Sequence, residues 1–324
     1  MPHRDMIVIG ASQGGQEPLL ELVQQFEADL PASVFIVRHI SKGATNFLVD
    51  ILARVSQLEV VSAEHCQEIR KGTIYIAPAD CHLLINSTHT YLSSGPRENL
   101  SRPAIDPLFR SAAVACGARV TGVILSGELD DGTAGLIAIK KCGGLAIVQH
   151  PETAASSSMP QSAADSCDID FFLPPGEIGQ MLNSLVREKV EEPGEGDELY
   201  KTELSVLTGT TEGIEEMAGK GALIPVGCPS CGGPLWQVDD GAKRFRCHTG
   251  HAFGERSLLD GLAQSEEQAL YAALRSMEER VRMLEHLSGS REKNPFDDRL
   301  EEARKHAADL RGLLHSQEKE QWSC

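Results

Sequence analysis

Short apolar runs alternate with longer amphipathic segments over the first 186 residues. The runs MIVIGA and SVFIVRHI each predict a buried strand, and EPLLELVQQFEADL between them predicts a helix. The same alternation returns later, with helices predicted in AIDPLFRSAAVACG, TAGLIAIKKCGG and PGEIGQMLNSLVREKV and strands in VTGVILSG and LAIVQH. Strands that alternate with helices pair in parallel through right-handed crossovers. We therefore expect an α/β, doubly wound domain with a mostly parallel sheet.

The pattern changes twice along the chain. Within the first domain, TIYIAPADCHLLI followed by TYLSS predicts a small antiparallel hairpin. Beyond it we expect an acidic, glycine-rich linker over 187–223 with one short packed segment, ELSVL. A compact cysteine-bearing module is predicted over 224–260. Two amphipathic segments separated by SGSREKNP then predict a helical hairpin over 261–324.

Charge and cysteine content narrow the class of protein. The 324 residues include 47 acidic and 30 basic side chains, a net charge of −17, which does not favour nucleic acid or anionic lipid as partners. No apolar run reaches the roughly 18 residues of a membrane helix, and no leader precedes the first strand. Of nine cysteines only Cys228, Cys231 and Cys247 cluster, which favours metal over disulfides. We expect a cytoplasmic protein.

The turn after the first predicted strand, MIVIGASQGG, has two interpretations. A dinucleotide-binding turn needs the spacing G-x-G-x-x-G, which Gly10, Gly14 and Gly15 do not provide, and no G-K-[ST] follows for a P-loop. The alternative is a nucleophile turn, in which small residues flanking Ser12 leave its hydroxyl exposed at the carboxyl edge of the sheet. Free amides at the start of the next helix could then stabilise an oxyanion.

Candidates for a base and an orienting acid follow other predicted strands. His39 ends SVFIVRHI, and Asp131 lies in VILSGELDDGTAG, just beyond a buried strand. A doubly wound sheet gathers such strand ends into one crevice. Taken singly, the histidine is as readily structural and the aspartate a turn or helix cap. Their coincidence with Ser12 at one edge favours nucleophilic catalysis.

Several motifs then resemble one known family. In order and spacing, residues 5–186 resemble the catalytic domain of the CheB-like chemotaxis protein-glutamate methylesterases, through the stretches VIGASQGG, VRHI, GTIYIAPADCHLLI, RPAIDPLFRSAA, GVILSGELDDGTAGL, KKCGGLAIVQHPETA and MPQSA. The resemblance implies a doubly wound serine hydrolase without an organic cofactor. It also implies demethylation of glutamate γ-methyl esters, and deamidation of certain glutamines, on methyl-accepting chemotaxis receptors.

The resemblance assigns roles at matching positions. Ser12 matches the family nucleophile, His39 the general base and Asp131 the acid that orients the imidazole, whereas Asp130 lies one place too early. The family also uses backbone amides near the nucleophile and in the acid-bearing loop as an oxyanion hole. Here those amides belong to Gln13 and Glu128.

Two departures from the family pattern leave an alternative open. Where the family commonly has G-M-G-x-D-G, this chain has GELDDG, which places Glu128 near a developing negative charge and Leu129 at a glycine position. The chain also begins at the first catalytic strand, so we expect no phosphorylatable receiver domain within it. The alternative function is an inactive scaffold that binds a chemosensory protein through the crevice or the C-terminal helices.

The spacing of the cysteine module predicts a structural zinc site. Cys228 and Cys231 form a C-x₂-C knuckle, and PLWQVDDGAKRFRC predicts a hairpin that returns Cys247 to it. Three thiolates and one imidazole complete a tetrahedral zinc site. His251 has room to turn back to the ion, whereas His248, adjacent to Cys247, would be strained, so we expect His251 as the fourth ligand. Reduced surface thiols are the alternative.

The C-terminal segments need no partner to explain them. Apolar positions on the two predicted helices are expected to pack together, and docking to a receptor or a receptor methyltransferase is the functional alternative. The module and the first of these helices also resemble an extension found on some methylesterase homologues. We expect metal removal to disorder the module without affecting hydrolysis of a small ester.

Overall fold

The computed structural model describes residues 1–44, 46–191, 197–208, 221–239, 241, 243–288 and 296–321. It divides into two compact units, Met1–Leu259 and Asp260–Cys324. The strands are β1 Met6–Ala11, β2 Ser33–Arg38, β3 Glu59–Ser62, β4 Gln67–Glu68, β5 Thr73–Ile76, β6 His82–Ile85, β7 His89–Ser93, β8 Val120–Ile124, β9 Leu145–Gln149, β10 Phe171–Leu173, β11 Ala222–Gly227, β12 Pro234–Asp239, β13 Lys243–Cys247 and β14 Ala252–Phe253. The helices are α1 Gln16–Gln24, α2 Leu48–Ala53, α3 Ile105–Cys116, α4 Thr133–Lys141, α5 Ser158–Ser166, α6 Pro175–Leu185, α7 Glu198–Leu207, α8 Glu255–Ser288 and α9 Asp297–Gln321.

A parallel seven-stranded sheet organises the first unit, in the order β10-β9-β8-β1-β2-β5-β3. Later strands are added first on one side of β1, as β2, β5 and β3, and then on its other side, as β8, β9 and β10. This reversal of the strand order opens a crevice at the carboxyl ends of β1 and its neighbours. Alternate residues of β1 point to opposite faces: Met6 and Val8 pack with α3, and Ile7 and Ile9 pack with α1 and α6. The predicted doubly wound, mostly parallel sheet is confirmed.

Two small antiparallel sheets accompany the main sheet. The predicted hairpin is formed by β6 and β7, and β4 pairs with the outer side of β7. The stretch TIYI, which the prediction included in the hairpin, instead forms β5 and pairs in parallel with β2 and β3. In the cysteine module β11, β12, β13 and β14 pair in that order, and β12 and β13 form the predicted return hairpin from Leu235 opposite Cys247 to Asp239 opposite Lys243. Residues 198–207, within the segment predicted as a linker, form α7, which includes ELSVL.

A buried ionic cluster joins α7 and the cysteine module to α3. Glu203 of α7 accepts two bonds from Arg244 Nη1, at 2.6 and 2.8 Å. Glu98 pairs with Arg246 at 2.9 Å and with Arg110 of α3. The five side chains are between 1 and 8% exposed. Because buried charges are stable only when they are paired, the cluster fixes how these elements meet.

The second unit contains paired helices in its described part. Leu284 of α8 packs with Leu300 and Ala303 of α9. Glu285 pairs with Arg304, and Glu278 pairs with Arg311. Residues earlier in α8 thus pair with residues later in α9, which makes the two helices antiparallel. The predicted helix pair is confirmed; residues 289–295 of the predicted break lie outside the described residues. None of the described helices is long and apolar enough to cross a membrane.

Candidate active site

Ser12 occupies a tight turn between β1 and α1. Its amide donates to Ser126 O at 2.9 Å, and its carbonyl accepts from Gly15 N at 3.0 Å. Gly14 has φ +69°, a left-handed conformation that favours glycine. A Cβ on Gly15 would lie 2.8 Å from the Ala11 Cβ, so this position also requires glycine. These contacts hold Ser12, half-buried, at the carboxyl edge of the sheet.

His39 lies between Ser12 and Asp131. Ser12 Oγ is 2.9 Å from His39 Nδ1, and His39 Nε2 is 2.6 Å from Asp131 Oδ2. A carboxylate only accepts hydrogen bonds, so Nε2 carries the proton and Nδ1 is free to accept the serine proton. The ring is therefore turned relative to the serine-protease triad, in which Nε2 faces the serine. The structure brings the three sequence-predicted residues into one hydrogen-bonded chain.

The N-terminus of α3 holds the Asp131 carboxylate. Ile105 N donates to Oδ2 at 2.7 Å and Asp106 N to Oδ1 at 3.1 Å, and Asn99 Nδ2 donates to Oδ1 at 2.8 Å. Burial alone would raise the pKa of Asp131, but His39 and these donors outweigh it and hold the pKa below its usual value. Asp131 is consequently an anion that can stabilise a protonated imidazole.

The neighbouring Asp130 has a different partner. Its carboxylate accepts from the backbone amides of Arg256 at 2.8 Å and Ser257 at 3.1 Å, in the first turn of α8. A carboxylate at this position stabilises the free amides and the positive end of the helix dipole. The structure therefore places Asp131 against His39 and Asp130 against the start of α8.

Sequence reasoning missed Asp106 and Asn99, which lie behind Asp131. Asp106 Oδ2 accepts from Asn99 Nδ2 at 2.8 Å and Oδ1 from Gly135 N at 2.7 Å. Burial, reinforced by the Asp131 charge, raises the pKa of Asp106 to about 8. The stretch RENLSRPAID carries both residues, and an acidic side chain in the first turn of the predicted helix AIDPLFRSAAVACG was the available signal for Asp106. The sequence contains no corresponding signal for Asn99.

The predicted oxyanion donors lie in the two loops that flank the serine. Among the hydrogen bonds of the described residues, neither the Gln13 nor the Glu128 amide donates to a protein acceptor. The exposed Glu128 carboxylate accepts from the Ser156 hydroxyl. Leu129, at the family glycine position, has φ +64°, so the loop keeps the left-handed conformation that a glycine would adopt without strain.

A cleft of about 370 Å³ opens beside the histidine. Its lining residues are His39, Ile40, Ser41, Lys42, Arg97, Leu100, Ser101 and Arg102. Asp80 pairs with Lys42 at 3.1 Å and with Arg102 at 2.6 Å, and the exposed Arg97 adds positive charge. A larger, more apolar cavity of about 680 Å³ near α7 contains none of the three chain residues. The smaller cleft therefore borders the chain of three residues at His39, and its lining includes three basic side chains.

The cysteine module brings four candidate metal ligands together. Cys228, Cys231, Cys247 and His251 place their ligand atoms within 4.8 Å of one another. Cys231 Sγ lies 3.7 Å from Cys247 Sγ, and His251 Nδ1 lies 3.4 Å from Cys247 Sγ and 3.8 Å from Cys228 Sγ. The His248 ring instead packs over Gly233.

These distances fit a tetrahedral zinc ion. Two sulfurs bound at about 2.3 Å to one zinc stand about 3.8 Å apart, and a sulfur and a nitrogen about 3.6 Å apart. The knuckle is closed by bonds from Cys228 N to Gly233 O and from Gly232 N to Cys228 O, both 2.7 Å. The cluster can hold a metal such as zinc, and its four protein ligands would close the coordination shell.

The first part of the chain is similar to known proteins. The CheB methylesterase family profile matches residues 7–182. A relative from Leptospira interrogans is 35% identical over 189 residues, which are 58% of this chain and 98% of that protein. Protein-glutamate methylesterase/protein-glutamine glutaminase 2 from Anaeromyxobacter dehalogenans is 38% identical over 183 residues, 56% of this chain and 54% of that protein, so the chain spans about half of that relative.

A solved structure shares the fold. The crystal structure of the Thermotoga maritima CheB methylesterase catalytic domain has 33% sequence identity and a TM-score of 0.55, and the match covers 56% of this chain and 98% of that domain. The family profile spans more than half of the chain and contains Ser12, His39 and Asp131. The chain belongs to the CheB methylesterase family.

Proposed function

We propose that this chain is a protein-glutamate methylesterase that uses Ser12 as nucleophile, His39 as general base and Asp131 to orient the imidazole. Its substrate is a glutamate γ-methyl ester on a methyl-accepting chemotaxis or sensory receptor. The observation that carries the proposal is the chain of hydrogen bonds from Ser12 Oγ to His39 Nδ1, 2.9 Å, and from His39 Nε2 to Asp131 Oδ2, 2.6 Å.

The reaction proceeds through an acyl-enzyme. Ser12 Oγ attacks the ester carbonyl while His39 Nδ1 takes its proton, and Asp131 stabilises the imidazolium. The amides of Gln13 and Glu128 donate to the oxyanion. Methanol leaves with the proton from Nδ1, and a water deprotonated by the same nitrogen hydrolyses the acyl-enzyme to glutamate. A glutamine side chain follows the same steps with ammonia as the leaving group.

Glu128 does not by itself rule out catalysis. Its backbone amide is the proposed donor, and its side chain is directed to the Ser156 hydroxyl. Because the carboxylate is exposed, solvent screens its charge from the oxyanion. An inactive scaffold is therefore the second outcome of the experiment below rather than the favoured function.

The remaining roles follow from the same proposal. The metal in the Cys228, Cys231, Cys247 and His251 cluster is structural zinc, and catalysis needs no cofactor. The clustered reduced thiols suit the cytoplasm. The cationic cleft beside His39 receives an acidic receptor segment. The C-terminal helices pack on each other, and docking to that receptor or its methyltransferase is the alternative role for them.

Methanol release from a methylated receptor tests the function. Ser12→Ala and His39→Ala are expected to lower kcat by at least about 10³-fold. Ser184→Ala in α6 and His3→Ala before β1 are matched controls, since both side chains are exposed and lie outside the site and the C-terminal helices. Equal activity in all five proteins would exclude this mechanism. Failure of a fluorophosphonate probe to label Ser12 would favour the scaffold.

A further inference from the structure

Asn99 uses its whole side-chain amide to join two parts of the first unit. Its Nδ2 donates to Asp106 Oδ2 and to Asp131 Oδ1, both at 2.8 Å. Its Oδ1 accepts from Gly254 N and from Ser257 Oγ, both at 2.9 Å. A primary amide has two donors and two acceptor sites, so each of them has a partner here.

The Asn99 backbone is fixed as well. Its amide donates to Ala252 O at 2.8 Å, and Ala252 N donates to Arg97 O at 3.3 Å. The preceding residue, Glu98, belongs to the buried ionic cluster with Arg246. Asn99 itself is 6% exposed. The loop that carries Asn99 therefore takes its position from the cysteine module on one side and from α3 on the other.

Ser257 and Gly254 connect this amide to the end of the module. Ser257 lies in the first turn of α8 and is fully buried. Besides its hydroxyl bond to Asn99, its amide donates to Asp130 Oδ1 at 3.1 Å. Gly254 follows β14 directly, seven residues beyond Cys247. The start of α8 thus contacts both aspartates of the loop that follows β8, Asp131 through Asn99 and Asp130 directly.

We propose that Asn99 is a positioning residue of the active site, which, held by Gly254 and Ser257, fixes the Asp131 carboxylate in the orientation that meets His39. The proposal rests on the proposed function and deepens it. It makes the start of α8 part of the scaffold that orients the catalytic residues, although none of its atoms touches Ser12 or His39 in the described contacts.

The chemistry of the amide explains why an asparagine suits this place. Asp106 and Asp131 are buried carboxylates, and one NH₂ group donates to both. An aspartate at position 99 would have the same shape but no N–H to donate, and would place a second acceptor against the Asp131 carboxylate. Without the Asn99 donor the Asp131 carboxylate would be more basic and freer to rotate. A displacement of about 1 Å at a reacting group can cost about 100-fold in rate.

The charged and titratable groups around Asp131 set the expected direction of a pH effect. They are His39, Asp106, Asp130 and His82. A more basic Asp131 takes up a proton at a higher pH, and a protonated Asp131 no longer stabilises the imidazolium. The acidic limb of the rate–pH profile therefore moves to higher pH when the Asn99 donor is lost.

The experiment measures hydrolysis of p-nitrophenyl acetate, which needs no receptor contact. Asn99→Asp is expected to lower kcat by about 100-fold with KM changed less than about twofold, and to move the acidic limb to higher pH. Ser257→Ala is expected to lower kcat by several fold, because Gly254 N still donates to Asn99. Asn183→Asp and Ser111→Ala are matched controls, since both are buried polar side chains bonded to backbone outside the site.

A second measurement does not depend on turnover. The short His39 Nε2–H bond to Asp131 is expected to give a far-downfield ¹H NMR resonance that shifts in both test variants and not in the controls. Unchanged kcat, pH limb and resonance in folded Asn99→Asp would overturn the proposal. If that variant does not fold, unchanged kcat, pH limb and resonance in Ser257→Ala would overturn the proposal instead. Wild-type hydrolysis no faster than Ser12→Ala would contradict the proposed function instead, while the resonance would still test the positioning.

Discussion

Gly127 lies directly against Ser12. A Cβ built on Gly127 would stand 2.8 Å from the Ser12 Cβ and 2.2 Å from Met159 Sδ. The Gly127 amide donates to Ser156 O at 3.0 Å, and its carbonyl accepts from Met159 N at 2.8 Å, so the backbone at this position is held from both sides. The absence of a side chain here is a requirement of the nucleophile's position.

Gly127→Ala is therefore expected to reduce kcat by about 100-fold, because the added methyl group displaces Ser12 from His39 Nδ1. The rate of fluorophosphonate labelling should fall in parallel. Gly312→Ala, where a Cβ would meet nothing within 4 Å, is the control and should leave both rates unchanged. The double variant Gly127→Ala/Met159→Ala relieves only the methionine contact. Full recovery of activity in it would show that Met159, and not Ser12, causes the loss.

The sequence signals that place Ser12, His39 and Asp131 at one edge of the sheet are local. A continuous apolar run forms β1 from Met6 to Ala11, and the polar residues that follow buried strands necessarily reach the same edge of a parallel sheet. The roles of the adjacent Asp130 and Asp131 were harder to distinguish. Only the family pattern favoured Asp131, and the fold shows that one carboxylate faces His39 while the other binds the start of α8.

Other features depend on contacts between distant segments. Asn99 shows no pattern in the sequence, because its partners are 32 and 158 residues away along the chain. The helix α7 falls in an acidic stretch, and arginines from α3 and β13 stabilise its buried Glu203. The edge strand β10 has three residues, too few to show a period. Because such long-range contacts leave no local pattern, the sequence suggested that the module and the catalytic domain were independent.

Leu129→Gly is expected to stabilise the protein. A left-handed conformation costs a residue with a side chain about 1–2 kcal/mol, and the greater freedom of glycine in the unfolded chain offsets about 0.5–1 kcal/mol of that gain. The free energy of unfolding should therefore rise by about 0.5–1 kcal/mol. Urea unfolding measures it, with an unchanged dependence on denaturant. Leu145→Gly in β9, which has no such conformation, should destabilise; stabilisation by both would contradict the strain argument.

The buried ionic cluster predicts a loss of stability in acid. Burial would raise the pKa of Glu203, but Arg244, Arg110 and Arg246 hold it well below its usual value. The folded chain thus keeps this carboxylate ionised at pH values at which the carboxylate of the unfolded chain is already protonated. The stabilisation is complete above about pH 5 and decreases as the pH falls below the ordinary glutamate pKa of about 4.3.

Glu203→Gln should accordingly cost about 3–5 kcal/mol at neutral pH and progressively less in acid. Hydrogen exchange of the β13 amides at several pH values measures the difference. Glu198→Gln, on the exposed side of the same helix, is the control and should leave the exchange unchanged. A difference between wild type and Glu203→Gln that stays constant from neutral pH to about pH 3 would contradict the assigned pKa direction.

The cysteine module should depend on its metal, because its sheet contains few buried apolar side chains apart from Leu235, Val238 and Phe253. Metal analysis is expected to find about one zinc per chain, lost in Cys228→Ser and His251→Ala and retained in His248→Ala. A chelator should then expose the amides of the module to exchange. A metal-free protein whose module stays protected would contradict the assignment.

The connection through Asn99 changes what metal removal does to activity. The sequence suggests that metal removal leaves the hydrolysis of a small ester unchanged, since none of the proposed catalytic residues lies in the module. Gly254 and Ser257, however, follow the module directly and bind the amide that holds Asp131. We therefore expect kcat to fall as the amides of residues 254–257 lose protection, with both recovering when zinc is restored. Full activity with these amides unprotected would show that Asp131 keeps its place without the module.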